Sequence, residues 1–214
     1  MVRVFIQARM SSARLPGKVL APFHGQPLIR QVIDRVAEAV PRWQIVLVTS
    51  ADPTDDPLAC YVESLGVAVF RGPLANVLER FQRCAAAYPA DWVIRISGDS
   101  PLMSSAVIRR VIDAAQTAEA DLVTNVFPRT FPRGCSVEAI NARSLAALDS
   151  AALTAEEREH VTGVFYNHPD RYRIINVDSG RPELAAVDLT VDTLDDLRRL
   201  EAFDEAALGW EDLG

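Results

Sequence analysis

Apolar positions in this chain fall into two rhythms that alternate along it. Short continuous runs, "VRVFIQ", "QIVLVTS", "VAVF", "WVIRIS" and "DLVTN", read as strands, "QIVLVTS" as one buried on both faces. Between them the apolar residues recur at helical spacing. In "PLIRQVIDRVAEAV" these are Leu28, Ile29, Val32, Ile33, Val36 and Val40, with Pro27 at the helix start. "DDPLACYVESLG" predicts a short helix closed by Gly66, and "ANVLERFQRCAAAY" and "SSAVIRRVIDAAQ" predict two more. Strands separated by helices of this length mean βαβ units. The expected fold is therefore a three-layer α/β arrangement, a mostly parallel sheet with helices on both faces.

After Asn125 the rhythm breaks. "VFPRTFPRGCSVEAI" carries prolines and aromatics and ends in an alternating strand pattern. A helix pair follows, "ARSLAALDSA" and "TAEEREHVTGVFYNH", then a strand "YRIINV". The chain closes on "LTVDTLDDLRRLEAF", a strand leading into a capped helix. The pattern predicts a single domain over residues 1–214, with an inserted arm or subdomain around 126–170. No internal repeat interrupts it.

Composition narrows the classes. A chain of 214 residues buries enough surface for a self-sufficient core. No apolar run approaches the ~18 residues of a membrane span, so no membrane partner is expected. The opening "MVRVFIQARM" does not read as a signal peptide. Cys60, Cys84 and Cys135 are odd in number and widely spaced, which suits a reducing cytoplasm better than a disulfide framework or a zinc site. A net charge of −7 argues against a nucleic-acid partner. That charge is uneven: residues 1–100 hold 11 basic and 9 acidic side chains, the remainder 11 and 20. A small anionic ligand held in the less acidic half fits this distribution.

The chemistry-bearing residues lie where predicted strands end, the edge at which parallel α/β sheets bind ligands. The loop after the first strand, in "IQARMSSARLPGKVL", brings Arg9, Arg14 and Lys18 within ten residues. Ser11 and Ser12 add hydroxyls, and Gly17 allows close backbone approach. Guanidinium forks, an ammonium and backbone amides suit a polyphosphate, although the spacing matches neither common glycine-rich phosphate loop. An exposed basic loop is the plainer alternative. Lys18 is the single lysine among 22 basic residues. In "RISGDSPLM", Asp99 ends a strand and could ligate Mg²⁺ or cap the following helix. In "LTVDTLDDL", Thr193 and Asp196 form a capping box, which frees Asp192. Were the two strands neighbours, the two carboxylates could share one metal ion.

"IQARMSSARLPGKVL", "NVLERF", "RISGDSPL", "FPRGCSVEAI", "EREHVT" and "LTVDTLDDL" together resemble the spore coat polysaccharide biosynthesis protein F family. That family belongs with the acylneuraminate and 3-deoxy-manno-octulosonate cytidylyltransferases, and the resemblance runs in order from residue 2 to about residue 200. It implies a Rossmann-like nucleotide-diphospho-sugar transferase fold. The implied reaction joins CTP to a sugar acid, giving a CMP-sugar and pyrophosphate, with Mg²⁺, for surface polysaccharide or glycoconjugate synthesis. By position it implies Ala8, Arg9, Ser12, Arg14, Lys18 and Arg80 at the nucleotide, with Lys18, Arg14 and Asp99 carrying catalysis. Asp99 and Asp192 would hold the metal. Arg158, Glu159 and His160 would face the sugar, and the family also favours a homodimer.

Two departures bear on the sugar. Ser97 and Ser100 flank Gly98 and Asp99 where the octulosonate enzymes read Q-G-D-E-P, and Gly17-Lys18-Val19 stands where the acylneuraminate enzymes carry K-N. Glu138, on the polar phase of its strand, suits a sugar hydroxyl or plain solvent. His160 suits a sugar contact or a structural place on its helix. Two other functions stay open. A metal-dependent glycosyltransferase of similar build would use the aspartate but not so basic a loop, and a non-catalytic nucleotide-binding module would bind without turnover.

Overall fold

The computed structural model describes residues 1–209, so residues 210–214 of the expected domain lie outside the described residues. The first half repeats strand and helix: β1 (Val2–Gln7), a small ribbon of β2 (Pro22–Phe23) and β3 (Gln26–Pro27), then α1 (Leu28–Ala39). β4 (Ile45–Ser50), α2 (Asp56–Ser64), β5 (Ala68–Gly72), α3 (Val77–Ala87), β6 (Trp92–Ser97) and α4 (Ser105–Thr117) continue it. The second half holds β7 (Leu122–Thr124), β8 (Glu138–Asn141), α5 (Ala142–Ala147), α6 (Ala155–His160), α7 (Gly163–Asn167), β9 (Ile174–Asn176) and α8 (Leu194–Glu201).

Among the described residues the main sheet has seven strands in the order β5-β4-β1-β6-β8-β7-β9. All its pairings are parallel except those of β8, which runs antiparallel to β6 and β7. Strand alternation builds both cores. Val4 and Ile6 of β1 join one apolar cluster with α1, α4 and α8, while Phe5 joins the other with α3, α5 and α7. The sheet is thus covered on both faces, as the unbroken apolar runs require. Strand order reverses beside β1, between β4 and β6, and this is where an open parallel sheet splays to admit a ligand.

Three local expectations change. The segment around 126–170 is not all peripheral, because β8 is an interior strand of the sheet. Residues 189–191 form no named strand. The chain there pairs Asp188 with Arg133 in a lone bridge, and the Val191 amide donates to the Asp99 carbonyl at 3.0 Å. Proximity to Asp99 therefore arises without a ladder. Finally, α4 is capped by Ser104, whose hydroxyl accepts from the Val107 amide, so Asp99 is not a helix cap. The β2–β3 ribbon, turning through His24 and Gly25 at positive φ, has no counterpart in the sequence reading.

Candidate active site

The loop after β1 is fixed before it can present anything. Asp55, fully buried, accepts from the Met10 amide at 2.7 Å, from the Thr49 hydroxyl at 3.0 Å and from the Ser50 amide and hydroxyl. The Met10 carbonyl in turn accepts from the amides of Ser12 and Gly17 at 2.9 and 2.8 Å. Gly17 sits at φ +75°, a conformation other residues adopt at a cost, and the chain turns there to aim Lys18 inward. On the facing edge Gly98 lies so close to Ala8 that a Cβ would come within 2.7 Å of the Ala8 Cβ. Loop and β6 terminus are locked together by the Gly98 amide on the Gln7 carbonyl at 2.8 Å.

Lys18 ends in a three-way socket. Its Nζ, in a residue only 7% exposed, donates to Asp99 Oδ2 at 2.8 Å, Asp192 Oδ1 at 3.0 Å and the Val191 carbonyl at 2.7 Å. Three acceptors converging on one nitrogen match the three donors of an ammonium and not the planar fork of a guanidinium. The lone lysine is explained by this geometry. Asp192 Oδ2 also meets Arg14 at 2.7 Å, and Asp99 Oδ1 accepts from Ser97 at 2.7 Å and Ser100 at 3.3 Å. The two carboxylates, far apart in sequence, are thus brought within two hydrogen-bond lengths through one nitrogen. Two hard oxygen donors at that spacing fit Mg²⁺, which binds through one or two carboxylates and completes its shell with water and phosphate oxygens.

A cavity of about 370 Å³ opens over this socket, lined by Ala8, Arg9, Ser12, Arg14, Lys18, Arg80, Asp99 and Asp192 among others. It unites every expected nucleotide and metal position. Arg80 is 1% exposed, donates to the Pro73 carbonyl at 3.2 Å and leaves its buried Nε without a partner among the described residues. Burial, then the neighbouring Arg9 charge, push its guanidinium down to about 10. Two cations crowded together, with no carboxylate paired to Arg80 among the described residues, form a place for an anion. Gly72 makes room for this arginine, since a Cβ there would meet Arg80 Cγ at 2.9 Å.

A second cavity of about 390 Å³ lies beside the first, and His160 is the one described residue lining both. His160 ends α6 and precedes Val161, a buried residue at φ 52°, ψ −59°. The Thr162 amide donates back to the His160 carbonyl at 2.5 Å, closing a three-residue turn of the strained hand. Glu138, 5% exposed, holds Thr162 in place. Its Oε1 accepts from the Thr162 hydroxyl at 2.8 Å and the Tyr166 hydroxyl at 2.7 Å, and its other oxygen pairs with Arg95. Burial, then the Glu138 charge, push the Tyr166 phenol far up, which keeps it a donor. Glu138 is therefore an internal carboxylate and not a surface one.

The remaining expected residues divide. Arg158 donates to the carbonyls of Leu153 and Ser150 at 2.8 and 3.3 Å and lines neither cavity. Glu159 lies outside both cavities and meets Arg9 at 3.5 Å. Gln7, Arg95, Arg129 and Tyr166 line the cavities without having been singled out. Arg95 carried a signal, a charged residue inside the apolar run "WVIRIS"; Asp55 and Arg129 carried none that spacing reveals.

The cytidylyltransferase family profile matches residues 3–211. The chain is 33% identical over 210 residues to spore coat polysaccharide biosynthesis protein SpsF of Bacillus subtilis (strain 168), covering 94% of this chain and 85% of that one. To the 3-deoxy-manno-octulosonate cytidylyltransferase of Aeromonas salmonicida (strain A449) it is 31% identical over 135 residues, 58% of this chain and 50% of that one. The solved structure of a cytidylyltransferase from Leptospira borgpetersenii serovar Hardjo-bovis (strain JB197) superposes with a TM-score of 0.89 at 29% identity. It covers 99% of this chain and 91% of its own.

Proposed function

The chain belongs to the cytidylyltransferase family, and on that premise we propose that it transfers CMP from CTP to a sugar acid, releasing pyrophosphate, in surface polysaccharide or glycoconjugate synthesis. The observation that carries this reading is the cavity that collects Arg9, Ser12, Arg14, Lys18 and Arg80 around Asp99 and Asp192 and adjoins a second cavity at His160. Arg9, Arg14 and Arg80 hold the triphosphate, with Ser12 and the loop amides near Ala8 adding donors. Lys18 neutralises charge gathering on the departing pyrophosphate while keeping Asp99 and Asp192 in register. The sugar occupies the second cavity, with His160 at the junction of the two cavities, between nucleotide and sugar. Glu138 positions the Thr162 and Tyr166 hydroxyls there, and Arg158 holds the chain before α6. Asp99 and Asp192 would hold Mg²⁺, which when bound supplies charge neutralisation at the phosphate oxygens.

A pyrophosphate-release screen of the four nucleoside triphosphates against sugar acids tests this. Release is expected with CTP and at least one acid, and only when both are present. Cleavage of a nucleotide-sugar without a triphosphate would favour a glycosyltransferase, and CTP binding without turnover a non-catalytic module.

A homodimer and a cytoplasmic location are part of the same proposal. The segment around 126–170 presents Phe127, 39% exposed, which suits packing on a second copy. The three free thiols, with Cys60 exposed, suit a reducing compartment. Light scattering at micromolar concentration is expected to give twice the chain mass; the monomer mass would contradict the dimer.

A further inference from the structure

Five charged side chains line the second cavity, and their pairing is unequal. Glu138 has both oxygens taken, by Thr162, Tyr166 and Arg95. Arg95 has its charge paired with Glu138 and donates to the Gln7 side chain at 3.1 Å. Arg129 makes no ion pair among the described residues. It donates only to neutral oxygens, the Pro132 carbonyl at 3.3 Å and the Ser136 hydroxyl at 3.0 Å. A guanidinium carries five N–H donors, so donors remain on a half-buried cation that lines the cavity. Glu157 is turned to other tasks: one oxygen caps α6 through Thr154 and the other accepts from Asn167 at 3.2 Å. Glu156 stands exposed at the rim.

The cavity thus offers a spare cation, while its buried carboxylates are already satisfied. That asymmetry selects an anion on the occupant, since an unpaired half-buried guanidinium is costly and a planar carboxylate matches its fork. We infer that Arg129 binds the carboxylate of the acceptor and makes the enzyme choose an acid over its neutral counterpart. The inference rests on the reading that the acceptor occupies this second cavity. Arg129 lies outside the cavity that holds Lys18 and Asp99, so it acts on acceptor choice and not on phosphate chemistry.

The test uses the full chain with CMP present and calorimetric titration of 2-keto-3-deoxy sugar acids of differing chain length, each beside its C1 carboxamide. The wild-type protein is expected to bind at least one acid about 10- to 100-fold more tightly than its amide, the range for a charge-assisted hydrogen bond. Arg129→Gln should erase that preference and leave CTP affinity unchanged. Arg129→Lys, keeping charge but losing the fork, should retain part of it, and it decides the matter if the glutamine variant fails to fold. Failure of every acid to bind, equal binding of acid and amide, or an undiminished preference in these variants overturns the inference. Pyrophosphate release from CTP with neutral and acidic acceptors alike would sink this inference and spare the transferase. Acid preference without pyrophosphate release would do the reverse.

Discussion

Lys18→Ala is expected to lower turnover by about 10²–10³-fold, the scale of losing one preorganised charged donor, about 3–4 kcal/mol of transition-state stabilisation. Lys18→Arg should recover little. The socket formed by Asp99, Asp192 and the Val191 carbonyl surrounds a single nitrogen at 2.7–3.0 Å, and a guanidinium in its place would force the two carboxylates apart. Full activity in the arginine variant would show that charge alone matters. Stability gives a second readout. Removing the ammonium leaves two carboxylates facing each other, each about a quarter exposed and, among the described residues, only Asp192 keeping a cation, Arg14. Chemical denaturation should detect a loss of about 1–3 kcal/mol, the cost of stranding partly buried charge.

The same socket yields a less intuitive expectation. Because Lys18 satisfies both carboxylates that would hold a divalent ion, it competes with that ion for their oxygens. Mn²⁺ titrated into the Lys18→Ala protein without nucleotide, and followed by its electron-spin resonance, should bind about 10-fold or more tightly than in the wild-type chain. A catalytically crippled variant would then be the better metal binder. Unchanged or weaker Mn²⁺ binding would mean that the two aspartates are held for Lys18 alone.

Much of this site was legible in the chain, for identifiable reasons. The first five sheet strands in the chain, and the helices between them, follow from apolar periodicity, because a strand buried on both faces has no polar phase to obscure it. Arg9, Arg14 and Lys18 were legible because a parallel sheet exposes its ligand edge at strand ends, so position along the chain becomes position in space. Thr193 was legible as a cap because the Thr–Asp spacing of a capping box is local. What escaped was a loop length and several non-local contacts. Ser104, not Asp99, caps α4, since the chain after Asp99 takes a further turn through Pro101 and Leu102 before the helix begins. The extended segment before Asp192 reaches Asp99 through one amide, not a ladder, and β8 enters the sheet interior from a stretch whose prolines suggested an excursion. Asp55 and Arg129 act by where folding brings them; no spacing rule marks a buried aspartate as the anchor of a loop 45 residues away.

The sharpest test of the metal reading is a cycle on Asp99 and Asp192. Asp99→Asn and Asp192→Asn keep side-chain shape, so if these residues served only as helix caps the substitutions would be nearly silent. The caps lie elsewhere, on Ser104 and Thr193, and each aspartate instead presents an oxygen to the Lys18 ammonium. Each single variant should therefore lose turnover on the order of 10²-fold or more, since a neutral amide is a poor ligand for a hard cation and meets Lys18 with less charge. Excess Mn²⁺ should return part of the loss, because a weakened site fills at higher metal concentration. Thr193→Ala is the control: it removes the cap beside Asp192, costs about 1 kcal/mol of stability, and should leave turnover close to wild type. The double variant should be little slower than the worse single one, as groups that serve one ion act as a unit. Independent losses that multiply in the double variant, with no response to added metal, would mean that the two carboxylates do separate jobs and share only their lysine.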